Sequence, residues 1–98
     1  MTRKPKIKFR LYVAGEAQNS IEAVANLTAF CRSENPKGFE IEVVDVFREP
    51  ERAMAEGILM TPTLIKYSPT PVRRVVGSLS KNLAEALGMK RTDLHHGN

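Results

Sequence analysis

The chain has 98 residues, a formal net charge of +4, 42% hydrophobic and 27% charged residues, which predicts one small globular domain with a single core. No apolar run approaches the roughly 18 residues of a membrane helix, and residues 1–10 lack the apolar core of a secretion signal, so we expect a cytoplasmic protein without membrane association. The basic residues, concentrated near the two ends, alternate with apolar residues along predicted strands, as on solvated strand faces, so we expect no nucleic-acid partner.

The first predicted elements are a strand and a helix. Apolar residues alternate with polar ones from Ile7 to Val13, which indicates a strand with one buried face. Asn19 and Glu22 have the spacing of a capping box and predict the start of a helix that ends near Ser33, before a turn at residues 35–38. The expected buried stripe of this helix is Ile21, Val24, Ala25, Thr28 and Cys31, with Leu27 at its margin.

The next two elements are a second strand and a short helix. Residues 39–46 alternate at first and then become almost continuously apolar, which predicts a central strand covered on both faces. Pro50 and its flanking glutamates favour a two-turn helix from Pro50 to Glu56, which Gly57 should end. Asp45, at the end of the second strand, is expected to bind a cap or a basic neighbour rather than to act in catalysis.

Pro62 opens a third strand, Thr63 to Tyr67, and the turn at residues 68–71 leads into a fourth, Val72 to Val76. Such a short loop predicts an antiparallel hairpin. Ser80 should cap a last helix that buries one apolar stripe and ends at Gly88. The stripe consists of Leu83, Ala84 and Leu87.

The predicted order is therefore βαβαββα, with the first two strands parallel across a helical crossover and the last two antiparallel. This is the order of a minimal thioredoxin-like α/β domain with a mixed four-stranded sheet. We expect one domain over residues 1–98, with an ordered core at about residues 7–88 and a frayed tail at 89–98.

The redox residues of a thioredoxin are missing from the expected place. In thioredoxin-like folds, a segment such as Thr61-Pro62-Thr63-Leu64 lies beside a Cys-x-x-Cys motif, and the bond before the proline is expected to be cis. Here Ala17-Gln18-Asn19-Ser20 takes the place of that motif, and the lone Cys31 is expected to pack in the core. The adjacent His95 and His96 do not have metal-site spacing, and we expect no cofactor.

A set of short motifs, in order and spacing, resembles the KaiB family of bacterial circadian clock proteins from about residue 7 to residue 88. These motifs are Leu11-Tyr12-Val13-Ala14-Gly15, Asn19-Ser20, Val44-Asp45-Val46, Pro50, Thr61-Pro62-Thr63-Leu64, Lys66, Pro71-Val72-Arg73-Arg74, Gly77 and Leu79-Ser80. The resemblance implies a non-enzymatic protein that binds the KaiC ATPase ring, sequesters other clock proteins and favours KaiC dephosphorylation. It also implies two folds: a tetramer with order βαββααβ and a thioredoxin-like monomer.

The second half of the chain departs from the cyanobacterial members of that family. Residues 83–87 favour a helix, and the segment from Gly88 to Asp93 is a poor strand, with Lys90 where those members carry an aspartate. We therefore expect the thioredoxin-like form, although two such packings can differ by only a few kcal/mol, so a monomer–tetramer equilibrium stays open. Pro62, Gly88 and Lys90 are the positions that we associate with the change of fold.

Lys66, Arg73 and Arg74 match basic positions that the family uses at its partner surface, and on paired strands they are expected to form one basic patch. Gly57 replaces a lysine of the same interface. The alternative is an ordinary charged edge strand that prevents aggregation.

Three functions remain open. The first is a clock or timing adaptor with a KaiC-type ATPase as its partner, together with KaiA-type or histidine-kinase clock proteins. The second is the sensor-like interaction domain of a signalling system, and the third is a thioredoxin-superfamily enzyme with altered chemistry.

Overall fold

The computed structural model describes residues 7–34, 38–79 and 83–88. Its elements are β1 (Ile7–Val13), α1 (Gln18–Glu34), β2 (Phe39–Asp45), α2 (Pro50–Ala55), β3 (Thr63–Ser68), β4 (Arg73–Val76) and α3 (Leu83–Ala86). The predicted order βαβαββα is confirmed. The expected cap at Ser80, the tail with His95 and His96, and Lys90, one of the positions expected to take part in a change of fold, lie outside the described residues.

One mixed sheet of four strands has the order β2-β1-β3-β4. β1 and β2 are parallel, with Phe9 opposite Ile41, whereas β1 and β3 are antiparallel, with Leu11 opposite Leu64. β3 and β4 form the predicted antiparallel hairpin, in which Lys66 lies opposite Arg73. The fold is therefore thioredoxin-like, with β1 and β3 in the centre and β2 and β4 at the edges.

The two faces of the sheet are covered by different helices. On one face, the odd-numbered residues of β1 pack with Leu27 of α1 and with Leu83 and Leu87 of the α3 region. On the other face, Tyr12, Val44 and Ile65 pack with Ala53 of α2. Because cross-strand partners share a face, Lys66 and Arg73 lie on the α1/α3 side, and Arg74 lies on the α2 side.

The predicted buried stripe of α1 is wrong, because the helix is rotated about its own axis relative to the expected orientation. The side chains that face the sheet are Ser20, Ala23, Leu27 and Cys31, while Ile21 is 50% exposed and Val24, Ala25 and Thr28 are also exposed. The helix begins at Gln18. The Ala14 amide, just after β1, donates to the Ser20 hydroxyl at 3.0 Å on the buried side of this helix.

The capping box is also wrong, since Asn19 lies inside the helix and Glu22 instead accepts from the Gln18 side chain at 3.1 Å. Cys31 packs in the core as predicted. Burial raises the pKa of its thiol to about 12, so the thiol stays neutral.

β2 is an edge strand and not the expected central strand. Of its seven residues only Val44 is buried, and Val43 is 48% exposed. The apolar run of β2 therefore does not indicate a strand covered on both faces. Val44 packs on the α2 side of the sheet, whereas Ile41 and Val43 lie on the α1 side, where α1 does not cover them. Asp45 ends the strand and accepts from the Phe47 amide at 2.9 Å and the Gly15 amide at 3.2 Å, which is the predicted capping role.

The β3–β4 hairpin begins at a cis bond between Thr61 and Pro62, as the thioredoxin-like interpretation predicts. Pro62 is buried, and its carbonyl accepts from the Gly77 amide at 2.9 Å. Gly57 and Gly88 have positive φ angles of 66° and 67° and follow α2 and α3, as expected for residues that end helices.

Candidate partner-binding site

Lys66 lies inside the hairpin and not on its surface. Only 2% of the residue is exposed, and its ammonium group donates to the carbonyl of Pro69 at 2.6 Å and to that of Pro71 at 3.1 Å. A protonated amine with three donors suits these two carbonyls, which the turn brings to one point. In this structure Lys66 therefore fixes the turn between β3 and β4, and the expectation of a single exposed patch that includes it is wrong.

Arg73 and Arg74 are exposed at the edge of the sheet, but they lie on opposite faces. Arg73 faces the α3 region, where a Cβ placed on Gly88 would lie 2.9 Å from the Arg73 Nε atom. Gly88 therefore both ends the helix with its positive φ and leaves room for the Arg73 side chain. The structure brings Gly88 to this edge, whereas the sequence analysis placed it only in the region expected to change fold.

Arg74 is held on the α2 side of the sheet. Its guanidinium donates to the backbone carbonyl of Glu56 at 2.6 Å. A cation at the C-terminal end of a helix is favourable, because the last carbonyls are unpaired and carry partial negative charge. The same side chain thus joins β4 to α2 while remaining accessible at the rim of the sheet.

A cluster around the Glu56 carboxylate, which we call the Glu56 hub, was missed by the sequence analysis. Its Oε1 atom accepts from the Arg10 guanidinium at 2.5 Å, from the Tyr12 hydroxyl at 2.5 Å and from the Tyr67 hydroxyl. Arg10 also lies over the Tyr67 ring and binds Glu42 at 2.9 Å. The hub therefore connects the end of α2 to three strands of the sheet.

The charges of the hub follow from these contacts. Burial by itself raises the pKa of Glu56, but the two tyrosine hydroxyls and Arg10 favour the ionised carboxylate, and its pKa is lowered overall. Burial and the nearby Glu56 raise the pKa of Tyr12 and of Tyr67. A glutamate at the unfavourable C-terminal end of a helix was the one signal that could have indicated a cationic partner.

Ala17-Gln18-Asn19-Ser20, at the place of the thioredoxin cysteines, contains no cysteine. Ser20 is buried, and its hydroxyl accepts from the Ala14 amide. Among residues 7–34, 38–79 and 83–88, no group of three or more histidine, cysteine, aspartate or glutamate side chains could hold a metal ion.

A second exposed surface lies between α1 and the edge strand β2. It consists of the exposed Ile21 and Val24 of α1, the exposed Ile41 and Val43 of the edge strand β2, and the exposed Phe47, which follows β2. The Phe47 ring lies 3.4 Å from the position of a Cβ on Gly15. This surface was missed because two predictions were wrong, namely which side of α1 faces the sheet and that β2 is a central strand.

Known proteins similar in sequence are clock proteins. The family model described as the KaiB domain matches residues 10–90. The circadian clock protein KaiB3 of Synechocystis sp. is 37% identical over 84 residues, covering 86% of this chain and 82% of that protein. The circadian clock oscillator protein KaiB of Prochlorococcus marinus is 40% identical over 80 residues, covering 82% of this chain and 67% of that protein.

Solved structures with a similar fold are more distant in sequence. The N-terminal domain of SasA from Synechococcus elongatus has a TM-score of 0.67 at 18% identity, covering 80% of this chain and 74% of that one. The thioredoxin Deadhead of Drosophila melanogaster has a TM-score of 0.64 at 13% identity, covering 76% and 71%. In the part of the chain that the structure describes, no helix has the length and apolar character needed to cross a membrane.

Proposed function

The chain belongs to the KaiB family, and from this membership we propose that it is a circadian clock or timing protein that acts by binding other proteins and not by catalysis. The relatives that it matches are named as circadian clock proteins. The observation that carries the proposal is the basic edge of the sheet: Arg73 and Arg74 are both exposed, and no acidic residue occurs from Gly57 to Leu79. Such an edge suits an acidic protein surface.

The proposed partner is a KaiC-type ATPase ring, whose dephosphorylated phase the bound protein would favour in the cytoplasm. Arg73 and Arg74 are the proposed contacts, because arginine binds carboxylates through two parallel hydrogen bonds. Lys66 contributes indirectly by holding the turn that leads into β4. KaiA-type and histidine-kinase clock proteins are further proposed partners.

A change of fold in the second half of the chain is part of this proposal, with Pro62, Gly88 and Lys90 as its positions. In the present structure, Gly88 lies against Arg73, so a rearrangement around Gly88 would alter the basic edge directly. Sedimentation velocity over a range of concentrations tests the accompanying monomer–tetramer equilibrium, which a single concentration-independent species would contradict.

The binding proposal is tested with the KaiC-type ATPase of the same host, in a pull-down with and without nucleotide. We expect the wild-type protein to be retained and the double variant Arg73→Glu, Arg74→Glu to be lost from the complex. Arg32→Glu, which reverses an exposed charge on α1, is the matched control and should bind like the wild type. Equal retention of the double variant would refute the role of these arginines.

Two alternative functions remain, and a different similarity of fold favours each of them. The similarity of fold to the N-terminal domain of SasA favours an interaction domain of a signalling system, which retention by a histidine kinase but not by the ATPase would support. The thioredoxin-like fold leaves an altered enzyme as the other alternative. Catalysed reduction of insulin by the purified protein would support that enzyme.

A further inference from the structure

The outer edge of β4 offers backbone groups in a defined pattern. In an antiparallel pair, residues that exchange hydrogen bonds alternate with residues that do not. The Gly77 amide donates to the Pro62 carbonyl, and in the same register this makes Leu64–Val75 and Lys66–Arg73 the bonded pairs. The N–H and C=O groups of Arg74 and Val76 therefore point away from β3, and among the strands of the described residues β4 has a neighbour on one side only.

The side chains along the outer edge of β4 determine which charges a bound segment should carry and in which order. Arg74 and Val76 lie on the α2 side of the sheet, and Val76 is 55% exposed, whereas Arg73 lies on the α1/α3 side. The opposite edge of the sheet, β2, carries the exposed Glu40 and also Glu42, whose carboxylate is paired with Arg10 and Arg52. β4 carries two exposed arginines and no acidic residue, so an acidic segment would be attracted to β4 rather than to β2.

We propose that β4 binds an extended acidic segment of a partner protein, which adds to the sheet as a fifth strand through the backbone groups of Arg74 and Val76. Strand addition of this kind takes its affinity from the backbone and its specificity from alternating side chains. Because neighbouring residues of a strand point to opposite faces, two adjacent acidic residues can reach Arg74 on one face and Arg73 on the other. An apolar residue two positions from the first acid would then pack on Val76.

This inference rests on the proposed function in one respect, namely that the segment belongs to a protein partner. The probe is a synthetic peptide of about twelve residues with capped ends, rich in valine and threonine, and with two adjacent glutamates at its centre. A second peptide replaces the glutamates with lysines. A third keeps the glutamates but carries N-methyl groups on alternate residues along the edge that faces β4, which removes its backbone donors.

Amide hydrogen exchange and chemical shifts of the full chain measure the binding. We expect the acidic peptide to slow exchange at Arg74 and Val76 severalfold, because these amides gain partners, and to change Arg73 and Val75 little, because theirs already bond to β3. The lysine and N-methylated peptides should each bind at least tenfold more weakly, which is about 1.4 kcal/mol. Val76→Pro, which removes an outward N–H at a position where an edge strand tolerates proline, should weaken binding similarly.

Each contrary result overturns a defined part of the inference. Equal binding of the N-methylated peptide would show that charge alone holds the segment, and equal binding of the lysine peptide would exclude acidic specificity. Slower amide exchange along residues 39–45 in place of β4 would place the segment on β2, and the proposed site on β4 would be wrong. Dimers that form without peptide and protect β4 would mean that a second copy of this chain is the occupant.

The design separates this inference from the proposed function. If the acidic peptide binds β4 but the KaiC-type ATPase does not bind the chain, the edge site stands and the proposed partner is wrong. If the ATPase binds Val76→Pro as well as it binds the wild type, while the double arginine variant is lost, the partner stands and strand addition is wrong. Far-UV circular dichroism of each variant checks that its fold is retained.

Discussion

Glu56→Gln should destabilise the protein by about 2 kcal/mol at pH 7. The substitution keeps the size of the side chain but removes the charge that accepts from Arg10, Tyr12 and Tyr67. These contacts join the end of α2 to β1 and β3. The expected effect is a loss of global stability, because the weakened contacts are between elements that are far apart in the chain.

The magnitude follows from the number of donors and their exposure. A hydrogen bond to a charged group contributes about 1.5–3 kcal/mol and a neutral one about 0.5–1.5 kcal/mol, so neutralising Glu56 weakens each of three bonds by about 1 kcal/mol. The side chains of Arg10 and Glu56 are 28% and 23% exposed, and solvent screens part of their attraction. That screening lowers the sum from about 3 to about 2 kcal/mol.

The pH dependence distinguishes loss of charge from loss of packing. The pKa of Glu56 is lowered in the folded protein, so its contribution is fully present above the unfolded value of about 4.5 and is lost as the pH falls through the folded value. The difference between wild type and Glu56→Gln should therefore shrink below about pH 4.5.

Urea unfolding, followed by far-UV circular dichroism at several pH values, measures this difference. Glu40→Gln is the matched control, since Glu40 is an exposed glutamate on β2, and it should change stability by less than about 0.5 kcal/mol. A difference for Glu56→Gln below that limit at pH 7, or one that is unchanged at pH 3, would refute the reasoning. A cycle with Tyr67→Phe would then measure the coupling of the two residues directly.

Three further predictions concern the turn between β3 and β4, the helix α1 and the edge strand β2. Lys66→Met should speed amide exchange several-fold at Ser68 and Thr70, the turn residues that have an N–H, because two carbonyls of the turn lose their donor. Unchanged exchange would contradict the structural role of the lysine. Leu27→Ala should lower the free energy of unfolding, measured with urea, by about 3 kcal/mol, and Ile21→Ala should lower it by less than about 1 kcal/mol. The reverse order would support the buried stripe predicted from the sequence. The side-chain carboxyl NMR signal of Glu42 should titrate with a pKa of about 2, because Arg52 and Arg10 hold this pKa low. In Arg52→Gln the pKa of Glu42 should move towards its ordinary value. A Glu42 pKa near 4.5 in the wild type would exclude these ion pairs.

The order of elements was predictable because it depends on local signals. Alternation in residues 7–13, the turn at 68–71 and glycine at positions 57 and 88 each act over a few residues, and the structure agrees with them. The orientation of α1 was not predictable in the same way. Apolar residues lie on two neighbouring sides of that helix, and the side with Ala23, Leu27 and Cys31 packs against the sheet, where the Ser20 hydroxyl also accepts from the Ala14 amide.

The site was predicted less well than the fold, because it depends on contacts across long stretches of sequence. A lysine on a short strand is normally assigned to the surface, and only the geometry of the following turn shows why Lys66 is buried. The Glu56 hub joins residues that are 44 and 46 positions apart, which no local pattern encodes. Arg73 and Arg74 were identified correctly as exposed, but their opposite faces follow only once their strand is paired with β3.

The Glu56 hub also determines which part of the protein its ultraviolet absorption and fluorescence report on. The chain has no tryptophan and only two tyrosines, and the hydroxyls of both bind the same carboxylate. Tyrosine absorption and emission therefore report on one corner of the molecule, where α2 meets β1 and β3. A change in that signal that precedes the change in far-UV circular dichroism would identify the opening of this corner as a separate step, observed without any attached dye.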